Sequence, residues 1–341
     1  MDTINIILNL NEELKSREIE EVEEYIEKTG YCDVLRSYGT RELNIRLSYP
    51  RYFSKTNAFL IKSADECFEV QEDFVRVLQS NLLTRNSTIR IVRADVPFTF
   101  IMDKGEEFYM YKNIFKILAE VYSYEYPNSD PKRIMSMLKE REETLIYSDN
   151  QDSRNYYQRV MIYDQWKKFR DKYSKNDFEQ LCREFPNLTR RIRIEYSVRV
   201  SKNRSLGREI SLNKFEEFDI FNTYVPKAID YVLDNLLNEK HIDDILNDKT
   251  DEVEKMFFEE KKRGKIYYES FIYKNLDLIV DYSIIRQVLN QIENIKTREG
   301  AIRVVRQILR RYEEKSGIII MKTYHKIEKM INFFYSNPLE N

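Results

Sequence analysis

The spacing of apolar residues changes several times along the chain, and each change marks an element. Over residues 11–29, Leu14, Ile19, Val22, Tyr25 and Ile26 recur three and four apart before Gly30, which predicts a charged amphipathic helix. Leu43, Ile45, Leu47 and Tyr49 then alternate with Asn44, Arg46 and Ser48, the pattern of a half-buried strand. Residues 64–83 return to helical spacing through Phe68, Val70, Phe74, Val77 and Leu78. A second strand follows over 87–102. Pro97 inside it cannot donate to a ladder and predicts an edge, a bulge or a strand end.

Asp103–Glu106 reads as a turn and 107–112 as a short partner strand. Residues 113–122 and 131–142 read as helices, 144–148 and 157–164 as strands joined by the polar stretch 149–155, and 165–185 as helical. The longest alternation lies at 191–200. Ile192, Ile194, Tyr196, Val198 and Val200 alternate there with Arg191, Arg193, Glu195, Ser197 and Arg199, which predicts a sheet with one wet face. From Ser211 onward the spacing is helical. The expected fold is therefore α+β: a mixed, largely antiparallel sheet with flanking helices, followed by an all-helical C-terminal region. The expected divisions are an N-terminal helical segment (1–40), a sheet domain (41–238) and a helical domain (239–341).

Composition narrows the chemistry. The chain has 341 residues, with 56 Lys and Arg against 58 Asp and Glu, and 42% hydrophobic residues, enough for a substantial core. It has only seven glycines and contains neither G-x-G-x-x-G nor G-x-x-x-x-G-K-[ST], which argues against Walker-type and dinucleotide-binding folds. His241 and His325 are the only histidines, so His-rich zinc sites and H-E-x-x-H are excluded. Cys32, Cys67 and Cys182 are scattered, and their odd number suggests reduced thiols rather than a disulfide framework. No apolar run approaches the ~18 residues of a membrane span, and no signal-peptide pattern opens the chain, so a cytoplasmic protein without membrane contact is expected.

Four constellations carry candidate chemistry. Within 189–208, Arg190, Arg191, Arg193, Arg199, Lys202, Arg204 and Arg208 face one acid, Glu195. Such density suits a phosphate backbone, although arginines on a solvated strand paired with distant acids read the same way. Asp95 and Glu195 are candidate ligands for Mg2+ or Mn2+, which favour carboxylate oxygens; an ion-pair role for Glu195 is the plainer reading. Tyr224 stands at an expected helix start with Lys227 three residues on. A tyrosine so placed attacks a phosphodiester if a cation lowers its pKa, but with 25 tyrosines such pairs arise by chance. Tyr156 and Tyr157 are rivals. Finally, helices at 283–295 and 301–312 present Arg303, Arg306 and Arg310 on one side, as a helix-turn-helix or a helical hairpin with a wet basic face would.

The ordered set Arg93-Ala94-Asp95, Thr144 to Tyr147, Ser153, Tyr163-Asp164 and Arg193-Ile194-Glu195 resembles the replication initiators of rolling-circle plasmids from Gram-positive bacteria, and more distantly those of filamentous phages. The resemblance covers roughly residues 41–200. It implies a protein that nicks and joins one DNA strand at an origin, through a tyrosine nucleophile and a divalent metal. Asp95 and Glu195 would sit at the metal, Tyr224 would be the nucleophile on the helix after the last strand, and a homodimer and host replication proteins become candidate partners. Gln165 replaces the lysine of the "Y-D-K" pattern, and no His-hydrophobe-His motif occurs. The alternatives are a DNA-binding replication or partition accessory factor without catalysis, and a structural or interaction protein.

Overall fold

A computed structural model describes residues 1–54, 56–112, 114–116, 136–148, 156–200, 208–236 and 239–316. The strands are β1 (Thr3–Asn9), β2 (Cys32–Tyr38), β3 (Glu42–Ser48), β4 (Thr88–Ile101), β5 (Ser136–Arg141), β6 (Thr144–Ser148), β7 (Gln158–Asp164), β8 (Arg191–Arg199) and β9 (Ile210–Ser211). They form one sheet in the order β2-β3-β1-β4-β8-β7-β6-β5, with β9 against the start of β4. Each of these pairings is antiparallel. The chain is α+β, as expected.

The helices packed with the sheet are α1 (Ser16–Glu27), α2 (Tyr49–Ser54), α3 (Ala64–Ser80), α5 (Lys-rich, Gln165–Arg170), α6 (Lys175–Glu184), α7 (Leu212–Glu216) and α8 (Ile220–Leu236). The remaining helices are α4 (residues 108–112 and 114–116), α9 (Glu239–Arg263), α10 (Tyr268–Lys274), α11 (Tyr282–Asn290) and α12 (Ile295–Ser316). Of the described residues, one compact unit holds 1–101 and 136–232, and the other holds 102–116 and 233–316.

The N-terminal segment thus belongs to the sheet rather than standing apart as a helical piece. β1 lies between β3 and β4 with residues 4–8 buried, so both of its faces are covered. A strand buried on both faces has no polar alternation to read. Two further segments differ from expectation. Residues 136–141 are strand, where helical spacing was expected. Their pairing to β6 across the turn at Glu142 and Glu143 outweighs the helical propensity of Met137, Leu138 and Lys139. Residues 108–112 are helical rather than a strand. The polar stretch 149–155, with Ser153, lies outside the described residues.

The two faces of the sheet differ. One carries Ile4, Ile45, Leu47, Ala94, Val96, Phe98, Val160, Ile162, Ile194 and Tyr196, all buried. Helix α8 lies on this apolar face, where Tyr231 meets the Tyr196 ring at 5.0 Å. Phe215 of α7 packs on Phe74 of α3, and the buried amide of Gln71 donates to the carbonyl oxygens of Phe215 (2.7 Å) and Phe218 (2.9 Å). Those bonds lock α3 to the α7–α8 connection. Pro97 occupies a position of β4 beyond the last residue paired with β1, where its missing N–H costs the sheet nothing.

Candidate nucleic-acid interface

The second face is polar, and two β-bulges decide what it displays. In β8 the odd positions Arg191 to Arg199 lie opposite Ile101, Thr99, Pro97, Asp95 and Arg93 of β4. Asp95 and Glu195 therefore share this face on neighbouring strands, Glu195 standing two residues along β8 from Ser197, the residue opposite Asp95, as the sequence allowed. β1 adds Asn5 opposite Arg93, and β7 adds Arg159 opposite Ser197 and Tyr163 opposite Arg193.

The centre of this face is not wet. Arg193 is completely buried, and Glu195, Ser197, Asp95 and Asp2 are buried with it. The segment 56–58 crosses here: Arg193 Nη1 donates to the Asn57 carbonyl at 2.7 Å and Arg191 Nη1 to the Ala58 carbonyl at 2.8 Å. Ala58 joins Phe169, Leu181 and Leu188 in a small apolar cluster, so α5, α6 and the turn at Leu188–Arg190 close over the N-terminal half of β8. The wet face expected from ten residues of alternation is covered by this distant apolar cap.

The buried groups neutralise one another. Arg93 donates from Nε (2.8 Å) and Nη2 (2.5 Å) to the two carboxylate oxygens of Asp95. Tyr163 Oη donates to Glu195 at 3.0 Å, and Lys168 sits 3.8 Å over the Tyr163 ring. Arg193 Nη2 is 4.0 Å from Asp2. Burial pushes the Glu195 carboxyl upward, but Lys168, Arg193 and Arg93 together hold it below the usual glutamate range. Burial raises Asp2, with Arg193 opposing. Among the described residues, no three His, Cys, Asp or Glu side chains are grouped to hold a metal ion. Asp95 is engaged on both oxygens by Arg93 and Glu195 takes the tyrosine, so this set does not fit a resident Mg2+ or Mn2+.

Tyr224 is elsewhere. Tyr196 and Glu195 are adjacent in β8 and point to opposite faces. α8 rests on Tyr196 through Tyr231, and Tyr224 lies seven residues, about two turns, earlier on the same side of that helix. The proposed nucleophile is thus on the apolar side of the sheet, away from Asp95 and Glu195. It is buried, its hydroxyl has no hydrogen-bond partner among the described residues, and burial raises its pKa above the ordinary tyrosine value. Lys227 Nζ is 5.5 Å from its ring centroid rather than at its hydroxyl. Tyr156, the rival, lies on the polar face. Arg159 and Arg199 each place a guanidinium 4.5 Å from its ring centroid.

Of the basic residues singled out from sequence, Arg199 is exposed, while Arg190 and Arg191 are half-buried at the other end of β8. Burial pushes Arg191 down to about 10. Lys202 and Arg204 lie outside the described residues. Arg303, Arg306 and Arg310 are exposed on α12 of the other unit.

Sequence reading missed four arginines that belong with Arg93 and Arg199. In β4, Val92 is an extra residue: Arg93 lies opposite Asn5 and Arg90 opposite Ile7, so Arg90 and Arg93 share the polar face. A bulge at Leu35 in β2 likewise puts Arg36 opposite Asn44, and Arg46 of β3 lies opposite Asn5. With Arg159, six arginines from five strands, β2, β3, β4, β8 and β7, line one face, all half-buried or exposed. Arg46 was readable from its alternation with Ile45 and Leu47; the others needed the bulges and the strand order.

No protein-family profile, curated protein or solved structure matches this chain. Among the described residues, no helix is long and apolar enough to cross a membrane.

Proposed function

We propose that this protein binds a single DNA strand across the polar face of its sheet, as an origin-binding factor resembling the replication initiators, without a nicking centre at Tyr224. One observation carries the reading: Arg36, Arg46, Arg90, Arg93, Arg159 and Arg199, from β2, β3, β4, β7 and β8, line one face that spans β1 between β3 and β4. Neighbouring strands lie about 4.8 Å apart, so the band runs some 20–25 Å across the sheet, long enough for several phosphates. Two acids lie within it, Asp95, matched by Arg93, and Asp33, opposite Arg46 and paired with Arg51 at 2.6 Å. Guanidiniums at the surface attract a polyanion, whereas the neutralised cluster beneath them holds the sheet together.

The test is binding of a single-stranded oligonucleotide at several salt concentrations. Salt-sensitive binding that weakens in Arg90→Ala with Arg199→Ala supports the reading. Absence of binding at low salt favours an interaction protein whose partner is another polypeptide.

A second reading, strand nicking and joining, is favoured by the position of Tyr156. It lies on the same face as Asp95 and Glu195, and the Arg159 and Arg199 guanidiniums, each 4.5 Å from its ring centroid, are cations that suit a phosphate. Incubation with supercoiled DNA and Mg2+ or Mn2+ tests it. A covalent adduct lost in Tyr156→Phe and retained in Tyr224→Phe supports nicking; no adduct leaves binding alone.

A further inference from the structure

The C-terminal unit carries a second basic surface, built differently from the sheet. Helix α11 has nine residues, a four-residue turn follows at 291–294, and α12 runs for 22 residues. The sequence placed this turn later, at 296–300. It falls earlier because Asn294 caps α12: its side chain accepts from the Thr297 N–H at 3.0 Å, and its carbonyl from the Arg298 N–H at 2.9 Å. Ile292 is buried and pins the turn. Ile284, Ile285, Val288 and Leu289 of α11 and Ala301, Val305, Ile308 and Leu309 of α12 are all buried, which fixes the angle between the helices. A short helix, a turn of about four residues and a longer second helix are the proportions of a helix-turn-helix.

The outward side of α12 is cationic. Lys296, Arg303, Arg306, Gln307 and Arg310 are exposed, and between residues 295 and 311 six basic residues face one acid, Glu299. Several arginines are held in place: Arg306 donates to Tyr282 Oη at 3.3 Å and Arg298 to the Asn290 carbonyl at 3.3 Å, both from α11. An independent observation lies on the same side. Gly300 stands inside the helix, where glycine costs about 1 kcal/mol relative to alanine. Its φ is ordinary, and a Cβ placed there meets nothing within 4 Å. Among the described residues, nothing in the packing or the backbone requires glycine here. A bare backbone beside an arginine row suits close approach by something outside the chain.

We propose that α11 and α12 form a duplex-DNA reading unit, with the outward side of α12 from Lys296 to Arg310 in the major groove. Arg303 and Arg310 meet phosphates or guanine edges, Gln307 offers an amide to a base edge, and Gly300 admits the sugar-phosphate backbone. The proposal does not depend on the sheet reading, which concerns a single strand held by different residues.

The full-length protein is titrated into a duplex of about 30 base pairs with a randomised centre, and into a single strand of the same length. Arg303→Ala with Arg310→Ala is expected to lose at least tenfold in duplex affinity and to lower the salt slope by about 1.8, from about 0.9 per phosphate contact. Single-strand binding stays unchanged. Gly300→Ala is expected to melt at a higher temperature yet bind the duplex more weakly. Duplex binding that is absent in the wild type, or equal in wild type and double variant, overturns the proposal. Gly300→Ala with unaltered duplex affinity overturns the role of Gly300.

Discussion

Arg90 and Arg93 share one face of β4 although three residues separate them, because Val92 is an unpaired extra residue between Ile91, opposite Ile6, and Arg93, opposite Asn5. Strict alternation sends residues three apart to opposite faces. The bulge turns two arginines that parity would separate into neighbours. Deleting Val92 removes this arrangement and displaces Arg90, Ile89 and β9 from their partners. The deletion variant is expected to unfold at lower denaturant concentration and to lose single-strand affinity, as measured by urea melts and anisotropy.

The arginines of β8 separate into structural and surface groups. Arg193 is completely buried among Asp2, the Asn57 carbonyl and Glu195, so Arg193→Ala leaves carboxylates without their cation. A loss of about 3–5 kcal/mol is expected in denaturant unfolding. Arg199 is exposed, and Arg199→Ala is expected to stay within about 0.5 kcal/mol of wild type while weakening DNA binding.

Tyr224→Phe removes a buried hydroxyl without a hydrogen-bond partner among the described residues. Stability is expected to hold or rise by up to about 1 kcal/mol, with DNA binding unaltered. A Tyr224→Phe protein that keeps its fold but loses a DNA adduct contradicts the placement of Tyr224 on the apolar side.

The Glu195 carboxyl is held below its ordinary value, so its charged form stabilises the fold. That contribution is complete above the unfolded glutamate value of about 4.3 and is lost as pH falls through the lower folded value. The gap in melting temperature between wild type and Glu195→Gln is therefore expected to be widest near neutrality and to narrow below about pH 4. A gap that widens on acidification contradicts the assignment.

Burial pushes the thiols of Cys32 and Cys67 up to about 12, and both are buried, whereas Cys182 is half-buried. Native protein at neutral pH is expected to take up one alkylating group at most, at Cys182, and three after denaturation. Mass spectrometry of the alkylated protein reads this directly.

Much of the sheet was legible. β3, β6, β7 and β8 follow from alternation, and Arg93, Asp95 and Glu195 do share a face. β1 was not legible because it is buried on both sides and lacks a polar period. The cover over Arg193 and Glu195 was hidden for another reason: it comes from Asn57, Ala58, Phe169 and Leu188, each far from β8 or beyond its period. Tyr224 shows the same limit. Its helix was readable, but which face of the sheet that helix covers depends on the Tyr196–Tyr231 contact. The bulges at Leu35 and Val92 leave no mark in composition, so the full arginine band appears only once strand register is known.

The most direct test of DNA binding by the sheet face is the salt dependence of single-strand affinity for wild type and for Arg90→Ala with Arg199→Ala. Each lost phosphate contact on a single strand lowers the slope of log affinity against log salt by about 0.7. The double variant is expected to bind more weakly with a slope reduced by about 1.4, while its melting temperature is unchanged. Equal slopes and equal affinities for the two proteins would contradict the account.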